Sequence, residues 1–111
     1  MEEVVYDTNL LIDLLKSGKH TAKGFTTIFN IIEFPKALDL KELGVIYPTL
    51  DDYDESLKIS ASLLKRGEPL PAIDTLIASI CIRRGLKLQT KDKHFTSIKS
   101  VKHEFRLELI K

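Results

Sequence analysis

The periodicity of the sequence changes at Asp7-Thr8-Asn9, and no other feature constrains the fold as tightly. Val4, Val5 and Tyr6 are strand formers, and Leu10, Leu11, Leu14 and Leu15 then recur at helical spacing. A strand running directly into a helix predicts the first half of a βαβ unit. Asn9 or Thr8 can cap that helix, which extends to about Lys16 with Gly18 at the expected stop. In an open α/β sheet the carboxyl ends of the strands border the crevice where ligands bind. Position alone therefore makes Asp7 a candidate site residue.

The rest of the chain repeats the alternation. Residues 19 to 25 read as a loop, and Thr26-Thr27-Ile28-Phe29 is a short β-rich run. Asn30-Ile31-Ile32-Glu33 opens a second helix that Pro35 shortens or kinks, with Ala37, Leu38 and Leu43 continuing a helical pattern to Gly44. Val45-Ile46-Tyr47 reads as a third strand. Thr49 then caps a helix to about Arg66. Asp51, Asp52, Asp54 and Glu55 lie in its first turns and Lys65 and Arg66 in its last, as the macrodipole prefers. Tyr53, Leu57, Ala61 and Leu64 are its expected buried stripe. Beyond Pro69 and Pro71, a helix of about residues 72 to 84 presents Ile73, Leu76, Ile77, Ile80 and Cys81, and Gly85 closes it. Leu86-Lys87-Leu88-Gln89-Thr90 alternates as a strand, and Lys91-Asp92-Lys93-His94-Phe95 is the loop after it. Residues 96 to 103 suggest a helical turn, and Phe105 to Ile110 a last strand. The expectation is one α/β domain over residues 1–111 with a mostly parallel sheet.

Composition narrows the class. The 111 residues are 43% hydrophobic and 30% charged, as in an ordinary globular chain. No apolar run approaches the roughly 18 residues that span a bilayer, and Met-Glu-Glu lacks the basic start of a signal peptide. The single Cys81 excludes an internal disulfide and a cysteine-held zinc, in keeping with a cytoplasmic location. A formal net charge of +1 lacks the strong basic excess of many nucleic-acid binders. Four acids in one pocket, however, would hide a basic surround from that total.

Those four acids are Asp7, Glu33, Asp74 and Asp92, each at a junction of the kind described for Asp7. Each also has a structural explanation. Asp7 can help start a helix, Glu33 can close a capping box with Asn30, Asp74 can face a helix dipole, and Asp92 can be a solvated loop acid between lysines. Their joint placement points instead to convergence on a divalent ion. Oxygen ligands suit the hard ions Mg²⁺ and Mn²⁺ rather than zinc. Thr8 and Asn9 can face water or phosphate oxygens, and Lys91, Lys93 and His94 are either phosphate contacts or a solvated loop. His20 and His103 read as surface residues, and Cys81 as a small buried hydrophobe.

Four blocks together resemble the PIN-domain nucleases, specifically the VapC-like toxins of VapBC toxin–antitoxin systems. They are Asp7-Thr8-Asn9-Leu10-Leu11-Ile12-Asp13, Asn30-Ile31-Ile32-Glu33, Ala72-Ile73-Asp74-Thr75-Leu76-Ile77-Ala78 and Leu88-Gln89-Thr90-Lys91-Asp92-Lys93-His94-Phe95. They fall in the family's order and span nearly the whole chain. The resemblance implies a three-layer PIN-like domain in which Asp7, Glu33, Asp74 and Asp92 bind Mg²⁺ or Mn²⁺ and cleave RNA. It also implies a homodimer and a VapB-like antitoxin that lays a peptide over the acidic pocket. The chain departs from the pattern in a shorter segment before Thr26. It also has Asn30 and Pro35 flanking Glu33, where a Ser or Thr and a good helix former are more typical. Two other readings compete. One is a PIN-fold scaffold or RNA-binding subunit with a weak site; the other is a phospho-receiver domain, which wants an Asp where Tyr47-Pro48 follows the third strand.

Overall fold

The computed structural model describes residues 3–111. Its elements in chain order are β1 (Val4–Tyr6), α1 (Thr8–Lys16), β2 (Thr21–Thr27), α2 (Ile28–Glu33), a 3₁₀ turn (Pro35–Asp39) and β3 (Lys41–Ile46). There follow α3 (Leu50–Lys65), α4 (Ala72–Arg84), β4 (Lys87–Thr90), a second 3₁₀ turn (Lys93–Phe95), α5 (Thr96–Val101) and β5 (Arg106–Leu109). The five strands form one sheet in the order β3-β2-β1-β4-β5, and every pairing is parallel.

That order dictates the layers. From β1 the chain steps outward to β2 and β3, then returns to lay β4 on the other side of β1. Parallel crossovers are right-handed, so reversing direction in the sheet moves the connecting helices to the opposite face. One core, around Leu11, Ala22, Ile31, Ala37 and Leu40, lies under α1 and α2. The other, including Ile59, Leu63, Ile77, Cys81, Leu88, Phe95 and Phe105, lies under α3, α4 and α5. Strand alternation feeds both, since Val5 packs into the second core and Tyr6 against the first. The α/β three-layer expectation holds, with a sheet that is wholly parallel. A receiver domain has the strand order 2-1-3-4-5, so the topology removes that rival.

Three local expectations fail. Residues 19 to 25 are not a loop, because β2 begins at Thr21 and is hydrogen-bonded between β1 and β3. Lys23 and Gly24 hide the strand pattern, yet Gly24 is needed there. Its φ is +139°, and a Cβ would meet the Tyr6 ring and the Val4 carbonyl at 3.0 Å. The helical pattern to Gly44 ends early, at the 3₁₀ turn that Pro35 starts, and β3 takes over at Lys41. Near its start, Glu42 has a φ of 66° and the register with β2 shifts between Thr21 and Gly24, so this edge of the sheet is irregular.

The third failure concerns α3. Its ends are as expected, from the Thr49 cap to Arg66. Its buried face is not: Tyr53, Leu57 and Leu64 are 48%, 70% and 62% exposed, whereas Asp52, Ser56, Ile59 and Leu63 point inward. The inward polar groups have partners on α4. The Ser56 and Thr75 hydroxyls are 2.7 Å apart. Asp52, fully buried, accepts from Arg83 at 2.9 Å, from Arg84 at 2.9 and 3.0 Å, and from the Thr49 N–H at 2.8 Å. Burial alone would raise the Asp52 carboxyl, but the bonds from Arg84, the Thr49 backbone and Arg83 overcome it and hold the group well below the usual range.

Asp52 is thus a clamp between α3 and α4, and its loss strands two arginines. Asp52→Ala is expected to destabilise the fold by about 3 kcal/mol in urea titrations at neutral pH. A depressed carboxyl stabilises the folded state above its ordinary value near 3.8 and progressively less below it. The gap between wild type and variant should therefore shrink as the pH falls below that value.

Candidate functional site

Asp7 leaves the carboxyl end of β1 where the sheet reverses direction, between β2 and β4. Its N–H donates to the Gln89 carbonyl of β4 at 3.0 Å, so the backbone there is fixed from the side. Neither Thr8 nor Asn9 caps α1, contrary to expectation. Asp7 occupies the cap itself, and its Oδ1 accepts from the Thr8 N–H at 2.9 Å. Oδ1 also accepts from Asn30 Nδ2 at 2.9 Å, and Oδ2 from the Thr90 hydroxyl at 2.6 Å. Three donors converge on one carboxylate and set its rotamer.

Asn30 and Thr90 are the residues that sequence reasoning passed over, and both are fully buried. Asn30 does not cap α2. Thr27 does, with Asn30 completing its capping box, so the Thr27 hydroxyl donates to Asn30 Oδ1 at 2.6 Å. This fixes the amide orientation and turns Nδ2 toward the site, where it donates to Asp7 and to the Thr8 hydroxyl, each at 2.9 Å. The hint in the sequence was the spacing Thr27-x-x-Asn30, a capping pair one turn earlier than Asn30-x-x-Glu33.

Glu33 is released from capping by that shift. It sits exposed at the end of α2, and its Oε1 accepts from the Thr8 hydroxyl at 2.7 Å. On the other side, the Thr90 hydroxyl accepts from the Asp92 N–H at 3.0 Å while donating to Asp7. A continuous run of hydrogen bonds therefore joins Glu33, Thr8, Asn30, Asp7, Thr90 and Asp92.

Asp74 arrives separately, in the first turn of α4, where Pro71 stands at the cap and offers no side-chain bond. Asp74 is half-buried and lines a groove of about 530 Å³ together with Glu33, Phe29, Ile32, Pro71 and Ile73. Burial raises its carboxyl to about 6, helped by the charges of Asp92, Asp7 and Glu33 and opposed by His94. All three other acids are thus near enough to be felt. Glu33 and Asp74 share that groove, and Asp7 and Asp92 are joined through Thr90; among the described residues no three acids, histidines or cysteines stand around one point at metal-binding distance.

The surrounding candidates divide. The Lys91 ammonium is drawn to Asp13 of α1, 2.5 Å away. Lys93 is exposed. His94, 82% exposed, donates its N–H to Asp92 Oδ1 at 2.9 Å and places ring Nδ1 3.0 Å from the same oxygen. Asn9 is exposed in the first turn of α1. His20 and His103 lie exposed and Cys81 fully buried, as expected.

No protein-family model matches the sequence, and no curated protein matches it either. Solved structures do match in fold. The crystal structure of VapBC2 from Rickettsia felis, bound to a DNA fragment from the promoter, has a chain 17% identical with a TM-score of 0.77, covering 96% of this chain and 97% of that one. DNA-bound VapBC from Salmonella typhimurium gives 20% and 0.77, over 97% and 98% of the two chains. A toxin–antitoxin complex from Klebsiella pneumoniae gives 19% and 0.65, over 83% and 89%. At these identities the likeness is one of fold, and the fold is PIN-like.

The raised Asp74 carboxyl has a measurable cost. Between its ordinary value of 3.8 and about 6 the folded state holds a proton that the unfolded chain has lost, so this residue's contribution to stability falls as the pH rises through that window. Without added divalent ions, Asp74→Asn should melt a few degrees above wild type at pH 7 and show no such gain at pH 4. Carboxyl carbon NMR should show Asp74 titrating near 6, and Asp92→Asn should lower that value.

Proposed function

We propose that this chain is a metal-dependent endoribonuclease, the toxin member of a toxin–antitoxin pair, using Asp7, Glu33, Asp74 and Asp92 to hold Mg²⁺ or Mn²⁺. The observation that carries the reading is the hydrogen-bonded run from Glu33 through Asp7 to Asp92 at the point where the sheet reverses. Support comes from the sequence resemblance and from the fold shared with VapBC chains.

The donor set fits such an ion. All four groups are hard oxygen donors that repel one another, which a cation relieves. Mg²⁺ keeps several of its waters and uses one or two carboxylates, so an open mouth suits it better than a closed cage. When bound, the ion supplies Lewis-acid polarisation of a phosphodiester oxygen and a more acidic water. The chain's own residues do the rest. Asn30 and Thr90 hold Asp7 to one rotamer, so its position costs no reorganisation during reaction. Thr8 ties Glu33 to α1 and keeps it beside Asp7. Asp74, whose carboxylate makes no hydrogen bond among the described residues, is the group placed to orient a water or accept its proton. Lys93 and His94 stand exposed on the turn after β4, where they can meet RNA phosphates and set the register of the strand.

The test is cleavage of a labelled RNA pool with Mn²⁺, with Mg²⁺ and with EDTA. Wild type should cut only with an ion present. Asp7→Asn should lose at least about 100-fold in rate, beyond the usual effect of disturbing a ligand's support, while keeping its circular dichroism spectrum. A folded wild type that cuts no RNA under any ion would establish the scaffold reading instead.

A further inference from the structure

The surface changes character at Glu33-Phe34. Glu33 borders the groove it shares with Asp74. Phe34 borders a second groove of about 310 Å³, lined by Ile12, Leu15 and Lys16 of α1 and by Phe34 and Lys36 at the turn after α2. No acid lines this one. Lys16 and Lys36 are exposed, and neither is held in an ion pair among the described residues, whereas Lys91 is drawn to Asp13. Ile12, Leu15 and Phe34 are half-buried, and Leu15 and Phe34 rest on the core beneath α1. The floor is therefore fixed and apolar, with ammonium groups free at the rim.

The first helix joins this groove to the acids. Thr8, Ile12 and Lys16 follow one another at helical spacing and share one stripe of α1. The Thr8 hydroxyl donates to Glu33 at 2.7 Å. The stripe thus begins at the hydrogen-bonded run of acids and ends at an ammonium about 12 Å further along the helix axis. An RNA strand presents a partner for each surface of the groove: phosphates for the two ammonium groups, and base faces for Phe34 and the aliphatic floor. A strand held at the acids has to leave them on each side, and the two grooves treat it oppositely. Glu33 and Asp74 repel phosphates in one, and Lys16 and Lys36 attract them in the other.

We propose that the groove between α1 and the turn after α2 holds the RNA strand on one side of the cut, with Lys16 and Lys36 on phosphates and Phe34 against a base. The choice of RNA rests on the nuclease reading. Its test reads binding without cleavage, so either can fail while the other stands.

The experiment is fluorescence anisotropy of an end-labelled, unstructured RNA oligonucleotide, titrated in EDTA and again in Ca²⁺ over a range of salt concentrations. Lys16→Gln combined with Lys36→Gln should bind roughly 10-fold or more weakly at low salt. Its plot of log affinity against log salt should be shallower by about 1.4, since each phosphate contact on a single strand contributes about 0.7. Phe34→Leu should weaken binding about 5-fold or more and leave that slope unchanged. Lys58→Gln combined with Lys65→Gln, the same change of charge at exposed positions of α3, should alter neither quantity. Melting curves check that each variant is folded. A wild type that binds no RNA in either medium overturns the inference, and so does an equal loss in the α3 pair. Oligoglutamate of matching charge that displaces the RNA at equal concentration overturns it too, and gives the groove to an acidic peptide. If the groove pair loses binding as stated while wild type cuts nothing, the nuclease reading falls and the groove stands. Cleavage by wild type with binding indifferent to Lys16 and Lys36 has the reverse result.

Discussion

Everything in this molecule is arranged around β1, a strand of only three residues hydrogen-bonded on both sides. With β2 on one flank and β4 on the other, its carboxyl end opens into the one place where neighbouring connections diverge to opposite faces of the sheet. The right-handedness of parallel crossovers forces that divergence. Asp7 therefore has rigid neighbours at each side, Asn30 from beyond β2 and Thr90 from the end of β4. Both of these are fully buried, so each finds its hydrogen bonds within the protein. The outcome is a carboxylate whose position is set by the sheet rather than by a loop.

Two acids show how environment separates structure from chemistry. Asp52 is completely enclosed, yet Arg83 and Arg84 surround it and its charge is easily kept. Asp74 is only half-buried, yet the charges of Asp92, Asp7 and Glu33 act on it with His94 alone opposing them among the described residues. The first joins two helices. The second introduces repulsion that the fold must carry.

The strand–helix switch at Asp7 and the later alternation were legible because they depend on local periodicity, and so was the parallel sheet. The cap at Thr49, the stop at Gly85 and the burial of Cys81 were legible for the same reason. What escaped depends on which neighbours a face meets. Periodicity shows that α3 has an apolar ridge but not that α4 lies on its other side, because the inward Asp52 and Ser56 look like surface residues until Arg84 and Thr75 are seen against them. β2 escaped because Lys23 and Gly24 interrupt its pattern, although the glycine is what allows Tyr6 to lie close. Asn30 escaped because it was assigned the cap of a helix that begins one turn earlier. The junction position of Asp7 was legible; the amide and hydroxyl that hold its carboxylate were not.

The Thr90 hydroxyl reaches Asp7 across 83 positions of the chain. A contact that distant forms only after a long loop has closed, which makes it slow relative to the helices around it. A ribosome-bound chain that has not yet emerged as far as β4 has neither the second neighbour of β1 nor Asp92. The order of synthesis itself thus leaves Asp7 without its Thr90 partner until most of the polypeptide has been made.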